Sequence, residues 1–478
     1  MAPRAARLKR GFSAFAVAGS LWMLAGCAGP DAAQLELTEC AVAGIKEAAR
    51  CGTLDVPENW EQPGTRRIAL NVMVIPALEP DGSAPLFDLA GGPGEAATVG
   101  AEFYLEDGRA MRQHRDVVLV DQRGTGASAP LRCPALESVS PLARMYAPEA
   151  VAQCRQELEK HHDLAQFTTA AAVRDLEAVR IALGAGRIDL FGLSYGTKLA
   201  QAYIRAYPGR VRTAAFLGTV PMDLRTPLEH ASSAERALRA IFADCAADAA
   251  CAAAYPELPE DWNAVLARFD AGPVSLPVDE TGVLVERGPF TESLRASMTT
   301  DAGQRRIPWI IHAAARGDFG PFLEAVAPAG GPPMIAEGLY LSIECSESAP
   351  RIAESGIPAV TAGTFLGRYR IDEQLGACRA WPRREIDESF FAPVRSDVPA
   401  LFIAGGRDHV APLRYTEAVA SGFPNSRVVV VEEMPHFPIA MSNLECLDAM
   451  LLAFYAAGDA AAVDTACAAT MRAPPFQT

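Results

Sequence analysis

The stretch DLFGLSYGTK, from Asp189 to Lys198, interrupts an apolar run with a Gly-x-Ser-x-Gly pentapeptide. Residues 187–191 favour a short strand, and residues 197–207 place apolar side chains at helical spacing. A sharp turn between a strand and a helix exposes a serine at the helix N-terminus, where negative charge is stabilised. The pattern predicts that Ser194 is a nucleophile. A glycine-rich turn without catalytic function also fits the pentapeptide alone.

A nucleophile of this kind needs an acid and a histidine later in the chain. The apolar run 398–404 precedes Asp408, and the run 427–431 precedes His436. Residues 412–422 between them favour a helix, so the unit predicts two parallel strands. Because the carboxyl ends of parallel strands share one sheet edge, we expect Asp408 and His436 beside Ser194 as a catalytic triad.

Other interpretations of these residues stay open at this stage. Asp408 also fits the cap of the following helix, and His436 fits a loop histidine. His409 competes as the general base, but it follows the same strand as the acid and leaves the last strand without a function.

A second glycine-rich turn predicts the oxyanion hole. The sequence PLFDLAGGPG, residues 85–94, is an apolar run that ends in Gly-Gly-Pro-Gly. Glycines let backbone N–H groups approach a ligand without side chains in the way. We expect the N–H groups of Gly92 and Tyr195 to stabilise the oxyanion of an acyl-transfer intermediate.

These motifs together resemble the prolyl iminopeptidase and tripeptidyl aminopeptidase group of α/β-hydrolases. The resemblance rests on GGPG (91–94), DQRGTGAS (121–128), GLSYGT (192–197), GGRDHVAP (405–412) and Pro435–His436, and extends to CGTLDVPENW (51–60) and SIECSE (342–347). It implies an α/β-hydrolase fold, with a mostly parallel central sheet flanked by helices and a mainly helical cap insertion. Ala90 and Glu95 depart from the residues usual at these positions in the two enzyme types.

The order of patterns along the chain predicts the division into parts. Strand-like and helix-like runs alternate up to about residue 220 and again from about residue 394, and the segment between them is mostly helical in pattern. We therefore predict a core in two parts, 27–220 and 394–478, with a helical cap at 221–393. The loop DQRGTGAS is expected to be structural, with Asp121 paired to Arg123.

The N-terminus predicts export. Basic residues precede the apolar run 11–25, and LAGC (24–27) resembles the bacterial lipoprotein processing box. We expect a signal peptide at 1–26 and lipid on Cys27, with ordinary secretion as the alternative. Ala28 resembles sorting to the outer membrane, facing the periplasm. No other run approaches the ~18 apolar residues of a membrane span, so lipid is the only anchor predicted.

Composition limits the partners and the cofactors. The chain has 43 basic and 58 acidic side chains, a net charge of −15, which argues against nucleic acid as a partner. Eleven cysteines leave ten when Cys27 is set aside, and an exported protein favours disulfides. Spacing gives a hypothesis for the pairs: 40–51, 133–154, 245–251, 345–378 and 446–467. No Cys/His cluster has metal-ligand spacing, so neither a metal nor a cofactor is predicted.

The predicted function is an exported serine aminopeptidase that releases N-terminal residues or short peptides. A carboxylesterase or amidase acting on small substrates is the alternative, and an inactive binding lipoprotein is a third. An aminopeptidase needs an anion for the substrate's α-ammonium group. The resemblance implies an acidic group just after Cys345, which points to Glu347 first. Glu344, which also precedes the Pro-containing break, and Glu95, beside the oxyanion loop, are the further candidates. Solvated glutamates are the ordinary alternative.

Overall fold

The computed structural model describes residues 35–278, 282–327 and 334–478. The predicted signal peptide and Cys27 lie outside these residues. The strands are β1 (Thr38–Cys40), β2 (Ala49–Pro57), β3 (Arg67–Ile75), β4 (Leu86–Leu89), β5 (Val117–Val120), β6 (Ile188–Leu193), β7 (Val211–Leu217), β8 (Val274–Leu276), β9 (Val283–Val285), β10 (Ala400–Gly405) and β11 (Ser426–Val431).

The helices follow the same chain order. They are α1 (Ala101–Leu105), α2 (Pro134–Glu137), α3 (Pro148–Glu159), α4 (Thr169–Ala182), α5 (Tyr195–Ala206), α6 (His230–Ala247), α7 (Ala249–Ala254), α8 (Leu258–Asp270), α9 (Arg287–Ser297), α10 (Asp301–Ala315), α11 (Gly320–Val326), α12 (Glu337–Glu347), α13 (Ile357–Thr361), α14 (Tyr369–Ala380), α15 (Leu413–Ala420) and α16 (Glu445–Ala457). Within the described ranges, no helix is both long and apolar enough to cross a membrane.

One sheet of nine strands forms the centre of the molecule, in the order β1-β2-β3-β5-β4-β6-β7-β10-β11. The pairs from β5 to β11 are parallel, whereas β1, β2 and β3 are joined to one another and to β5 in antiparallel fashion. Strands β5 and β10 are buried along their whole length, as expected for parallel strands covered on both faces. The predicted mostly parallel sheet is confirmed.

Alternate side chains of each central strand enter opposite halves of the core. In β10, Phe402 packs into the cluster that contains α4 and α5, whereas Leu401 and Ile403 pack into the cluster that contains α1 and α16. This alternation is the period-2 geometry of a strand. Helices cover both faces of the sheet and leave its carboxyl edge for the site.

Between β7 and β10 the chain is mostly helical, and α12 and α14 pack into the main cluster with the sheet, whereas the first part of the segment forms a separate core. Aromatic and aliphatic side chains of α6, α8, α9 and α10 pack together there, including Leu238, Trp262, Phe290 and Ile311. The sequence patterns predict helices in this segment and miss the short antiparallel hairpin of β8 and β9. Hereafter this segment is called the cap.

The described residues form five disulfides, each within the core or within the cap. They join Cys40–Cys51, Cys133–Cys154, Cys245–Cys251, Cys345–Cys378 and Cys446–Cys467, the pairs of the spacing hypothesis. The fourth ties α12 to α14 inside the cap.

The loop DQRGTGAS makes different contacts from those expected. Arg123 forms a two-pronged ion pair with Asp175 of α4, with N–O distances of 2.6 and 2.7 Å. Asp121 instead accepts hydrogen bonds from Thr98 and Asn71. The predicted Asp121–Arg123 pair is therefore wrong, because each side chain is directed to a different neighbouring element.

Candidate active site

Ser194 stands on a strained turn between β6 and α5. Its backbone has φ 55° and ψ −121°, a region that non-glycine residues rarely adopt. Its N–H donates to the Leu217 carbonyl at 2.9 Å, which fixes the turn against β7. A Cβ added at Gly196 would collide with the Leu89 carbonyl, so only glycine fits there. The side chain is 7% exposed, at the carboxyl edge of the sheet.

Asp408 and His436 meet at the same edge. Asp408 Oδ2 lies 2.7 Å from His436 Nδ1, and both side chains are buried. The other oxygen, Oδ1, accepts the N–H groups of Val410 and Ala411 at 2.8 Å. Asp408 therefore caps the following turn and also orients the imidazole. Burial acts to raise the pKa of Asp408, but His436 and the Ala411 amide together hold it below its ordinary value.

Gly218 links this pair to the elbow. It follows Leu217, whose carbonyl receives the Ser194 N–H. A Cβ added at Gly218 would lie 2.9 Å from His436 Cε1, so the imidazole packs directly on this backbone. In the part of the chain that is described, no hydrogen bond joins Ser194 Oγ to His436. Such contacts are often loose in serine hydrolases without substrate.

His409, the competing base, faces the cap. Its Nε2 lies 3.3 Å from a guanidinium nitrogen of Arg295 in α9. Burial, together with the positive charge of Arg295, lowers the pKa of His409 to about 3. The imidazole that bonds Asp408 is that of His436, so the geometry favours His436 as the base.

The glycine-rich turn after β4 lies against the elbow. A Cβ added at Gly91 would lie 3.5 Å from Ser194 Cβ, and Gly92 has φ +104°. The Gly91 N–H donates to Glu95 Oε2 at 3.2 Å. Within the described ranges, the N–H groups of Gly92 and Tyr195 donate to no protein group. Both predicted oxyanion donors are thus free for a ligand.

The partners of Glu347 are protein groups, whereas the sequence predicted a substrate ammonium group. It is fully buried, and its carboxylate accepts hydrogen bonds from the Thr169 N–H at 2.8 Å and the Thr169 hydroxyl at 3.0 Å. Its Oε2 also lies 2.9 Å from Lys198 Nζ. Because protein donors already engage both oxygens, this arrangement argues against Glu347 as the amine-binding group.

Glu344, one turn earlier on α12, has a carboxylate oxygen that accepts no hydrogen bond. The residue is 5% exposed, and its Oε2 is buried without a hydrogen-bond partner. Burial raises the pKa of Glu344 to about 7, against the opposing positive charge of Lys198. Its negative charge adds to burial and to the charge of Glu347 in raising the pKa of the Tyr195 phenol.

Glu95 is half-buried beside the glycine-rich turn. Burial raises the pKa of its carboxyl, whereas the Gly91 N–H and the charge of His436 oppose that change. The carboxylate of Glu95 therefore lies at the oxyanion turn and already accepts one backbone hydrogen bond there.

Sequence patterns did not single out the polar groups around Tyr195. Its hydroxyl lies 2.8 Å from Thr169 Oγ1 and accepts a bond from Gln122 Nε2 at 3.2 Å. Lys198, on the next turn of α5, is only 5% exposed. A lysine among apolar residues of a helix is the signal that could have pointed to a buried partner. Across the described residues, no group of three or more His, Cys, Asp or Glu side chains is placed to hold a metal ion.

Two family models match the chain. One, described as alpha/beta hydrolase fold, covers residues 92–246, and the other, described as TAP-like protein, covers residues 363–467. The first contains residues 92–94 of the glycine-rich turn and Ser194, and the second contains Asp408 and His436. The matched ranges thus hold the main parts of the candidate site.

Curated relatives match over a smaller part. Serine protease Hip1 of Mycobacterium tuberculosis is 29% identical over 226 residues, 43% of each chain. Tripeptidyl aminopeptidase of Streptomyces coelicolor is 27% identical, over 38% of this chain and 37% of the relative. Carboxylesterase B of Mycobacterium tuberculosis is 32% identical, over 44% of this chain and 43% of the relative. The chain thus spans less than half the length of these relatives.

The sheet topology, the strained serine turn and the family models agree with one another. The chain belongs to the α/β-hydrolase superfamily and resembles its prolyl iminopeptidase and tripeptidyl aminopeptidase group.

Proposed function

We propose that this chain is a serine hydrolase that acts as an aminopeptidase, releasing N-terminal residues or short peptides through an acyl-enzyme on Ser194. The observation that carries the proposal is the buried Asp408–His436 pair at the sheet edge where Ser194 stands on a strained turn. This is the arrangement that nucleophilic acyl transfer requires. The resemblance to peptidases supports the choice of substrate class.

The reaction follows from the roles of these groups. His436 accepts the Ser194 hydroxyl proton as Oγ attacks the scissile carbonyl, and it then gives that proton to the leaving amine. Asp408 holds the imidazole with Nδ1 protonated and stabilises the imidazolium ion. The N–H groups of Gly92 and Tyr195 stabilise the tetrahedral oxyanion. Water, activated by His436, then hydrolyses the acyl-enzyme.

Glu344 is the proposed anion for the substrate's α-ammonium group. Its unpartnered Oε2 is buried, and a buried acceptor without a donor costs about 1–3 kcal/mol. An ammonium donor relieves that cost and converts the group to its ionised form. Glu95 is the comparison residue, because its carboxylate lies nearer to His436 and to the oxyanion turn.

A carboxylesterase or amidase is the second candidate. One of the relatives, 32% identical, carries the name Carboxylesterase B. Ester hydrolysis needs the nucleophile, the base and the oxyanion donors but no anion for an amine. The two candidates therefore differ in the part of the site formed by α12.

The test uses the full chain and its Ser194→Ala variant with a panel of substrates. We expect wild-type protein to hydrolyse free N-terminal peptide p-nitroanilides faster than the N-blocked forms, with short p-nitrophenyl esters as a reference. Ser194→Ala should lose nearly all hydrolysis while its circular dichroism stays unchanged. Retained turnover in that variant overturns the mechanism. Preference for esters, with no gain from a free amine, selects the esterase.

We also propose that the protein is exported and anchored by lipid on Cys27, facing the periplasm at the outer membrane. Support comes from the LAGC box after the basic and apolar leader. Cys27→Ser should move the protein from the membrane fraction to the soluble periplasmic fraction. An unchanged membrane fraction argues for another anchor.

A further inference from the structure

Helix α12 of the cap is bonded to the oxyanion turn at its N-terminal end. The Ala336 N–H, just before the helix, donates to the Gly94 carbonyl at 3.0 Å. Ile335 packs so closely on Gly94 that an added Cβ would lie 2.9 Å from its Cγ2 atom. Gly94 is two residues after Gly92, one of the two proposed oxyanion donors. The cap therefore contacts the turn that carries this donor.

The C-terminal end of α12 is linked through Thr169 to the side chain of Tyr195, the residue that carries the other proposed donor. Glu347 accepts from the N–H and the hydroxyl of Thr169 and pairs with Lys198. The same Thr169 hydroxyl lies 2.8 Å from the Tyr195 hydroxyl, whose backbone N–H is the second proposed donor. One short chain of contacts thus runs from α12 to the elbow.

This chain of contacts is buried. Glu347 and Thr169 are 0% exposed, and Lys198 is 5% exposed. Removing one member leaves an uncompensated charge or donor in a water-poor site, which shifts the neighbouring groups. The Cys345–Cys378 disulfide holds the same end of α12 to α14. The helix is thus restrained at both of its ends.

We propose that Glu347 is a positioning residue for the oxyanion hole: with Thr169 and Lys198 it fixes the Tyr195 side of the hole relative to the Gly92 side, through helix α12. The inference rests on the proposed function, since it assigns a role within acyl transfer. Under this inference, the cap helps to fix the geometry of the oxyanion hole. Glu347 acts without touching the substrate.

The test compares Glu347→Gln with wild type on a free N-terminal peptide anilide and on a small neutral ester. We expect kcat to fall about 10- to 100-fold on both substrates, short of the loss of a whole donor, with KM changed less than about 3-fold. Tyr195→Phe keeps the Lys198–Glu347 pair and the backbone donor but removes the hydroxyl contact. It should lower kcat on both substrates in the same sense, by about 3- to 10-fold.

A second readout separates oxyanion geometry from general damage. A peptidyl trifluoromethyl ketone forms an oxyanion on the enzyme, and the matching alcohol does not. In both variants, affinity for the ketone should fall in proportion to kcat/KM, while affinity for the alcohol is retained. Titration with a fluorophosphonate counts the competent sites, so that a poorly folded fraction does not enter kcat.

Asp261→Asn is the matched control. Asp261 is another mostly buried cap carboxylate, paired with His312 and Arg316 and remote from α12. The Asp261→Asn variant should keep kcat within about 2-fold of wild type. A Glu347→Gln loss confined to the peptide overturns the inference in favour of amine binding, and unchanged kcat in both Glu347→Gln and Tyr195→Phe also overturns it. Activity retained in Ser194→Ala instead refutes the proposed function itself.

Discussion

Two buried pairs lie on either side of the Ser194 elbow, and they differ in what they leave unpaired. Asp408 and His436 are joined at 2.7 Å, and Lys198 and Glu347 at 2.9 Å. In the first pair, the described residues supply no partner for His436 Nε2, which is free to move a proton. In the second, protein donors use both oxygens of Glu347. The first pair thus keeps a nitrogen available for proton transfer, whereas the second pair is engaged by protein groups on both carboxylate oxygens.

The largest expected effect tests the first pair. His436→Gln removes the base and should lower kcat/KM by about 10⁴-fold or more on peptide and ester alike. His409→Gln is the matched control, because His409 follows Asp408 directly but faces Arg295. It should change kcat/KM by less than about 10-fold. Steady-state kinetics on both substrates measure the two effects, and an equal loss in both variants would remove the distinction between the histidines.

The sequence predicted the first pair because of a property of parallel sheets. Ser194, Asp408 and His436 each follow an apolar strand, and the carboxyl ends of such strands converge at one edge. Local pattern therefore predicted a shared sheet edge for three side chains that are far apart in the chain. The alternation of strands and helices predicted parallel strands, and the family resemblance implied the α/β-hydrolase fold.

The second pair could not be predicted in this way. Glu347 and Thr169 are 178 residues apart, and their contact depends on how the cap packs on the core. Glu344 and Glu347 are one turn apart on α12, so helical spacing does not tell which carboxylate keeps a free oxygen. The same limit explains the error at Arg123, whose partner Asp175 belongs to a different element 52 residues away. Side-chain partners across elements are a tertiary property.

A smaller effect sharpens the contrast between the two glutamates of α12. Glu344→Gln removes the charge that the α-ammonium group needs, a contact of about 1.5–3 kcal/mol. For free N-terminal peptides, kcat/KM should fall about 10- to 150-fold, while a neutral ester should change little. This selective loss is the opposite of the equal loss expected for Glu347→Gln.

Glu95→Gln is the comparison for that measurement. Its carboxylate accepts the Gly91 N–H in the oxyanion turn, so its removal should alter peptide and ester hydrolysis together. A peptide-specific loss in Glu95→Gln, with none in Glu344→Gln, would move the amine site to the oxyanion turn. No selective loss in either variant would favour the esterase.

The smallest expected effect is a dependence on pH. Burial raises the pKa of Glu344 to about 7, so the carboxylate that we propose as the ammonium site is present above that pH and is lost below it. The ratio of kcat/KM for a free N-terminal peptide to that for a neutral ester cancels the titration of the common base. Between pH 6 and pH 7 the ionised fraction of a group with a pKa of about 7 rises about fivefold, and the ratio should rise with it. Above about pH 8 the ratio should fall again, because the peptide's α-amino group loses its proton.

In Glu344→Gln the rise between pH 6 and pH 7 should disappear, whereas the fall at high pH should remain because it belongs to the substrate. A flat ratio in wild-type protein, or a rise that persists in the variant, would show that another group binds the amine.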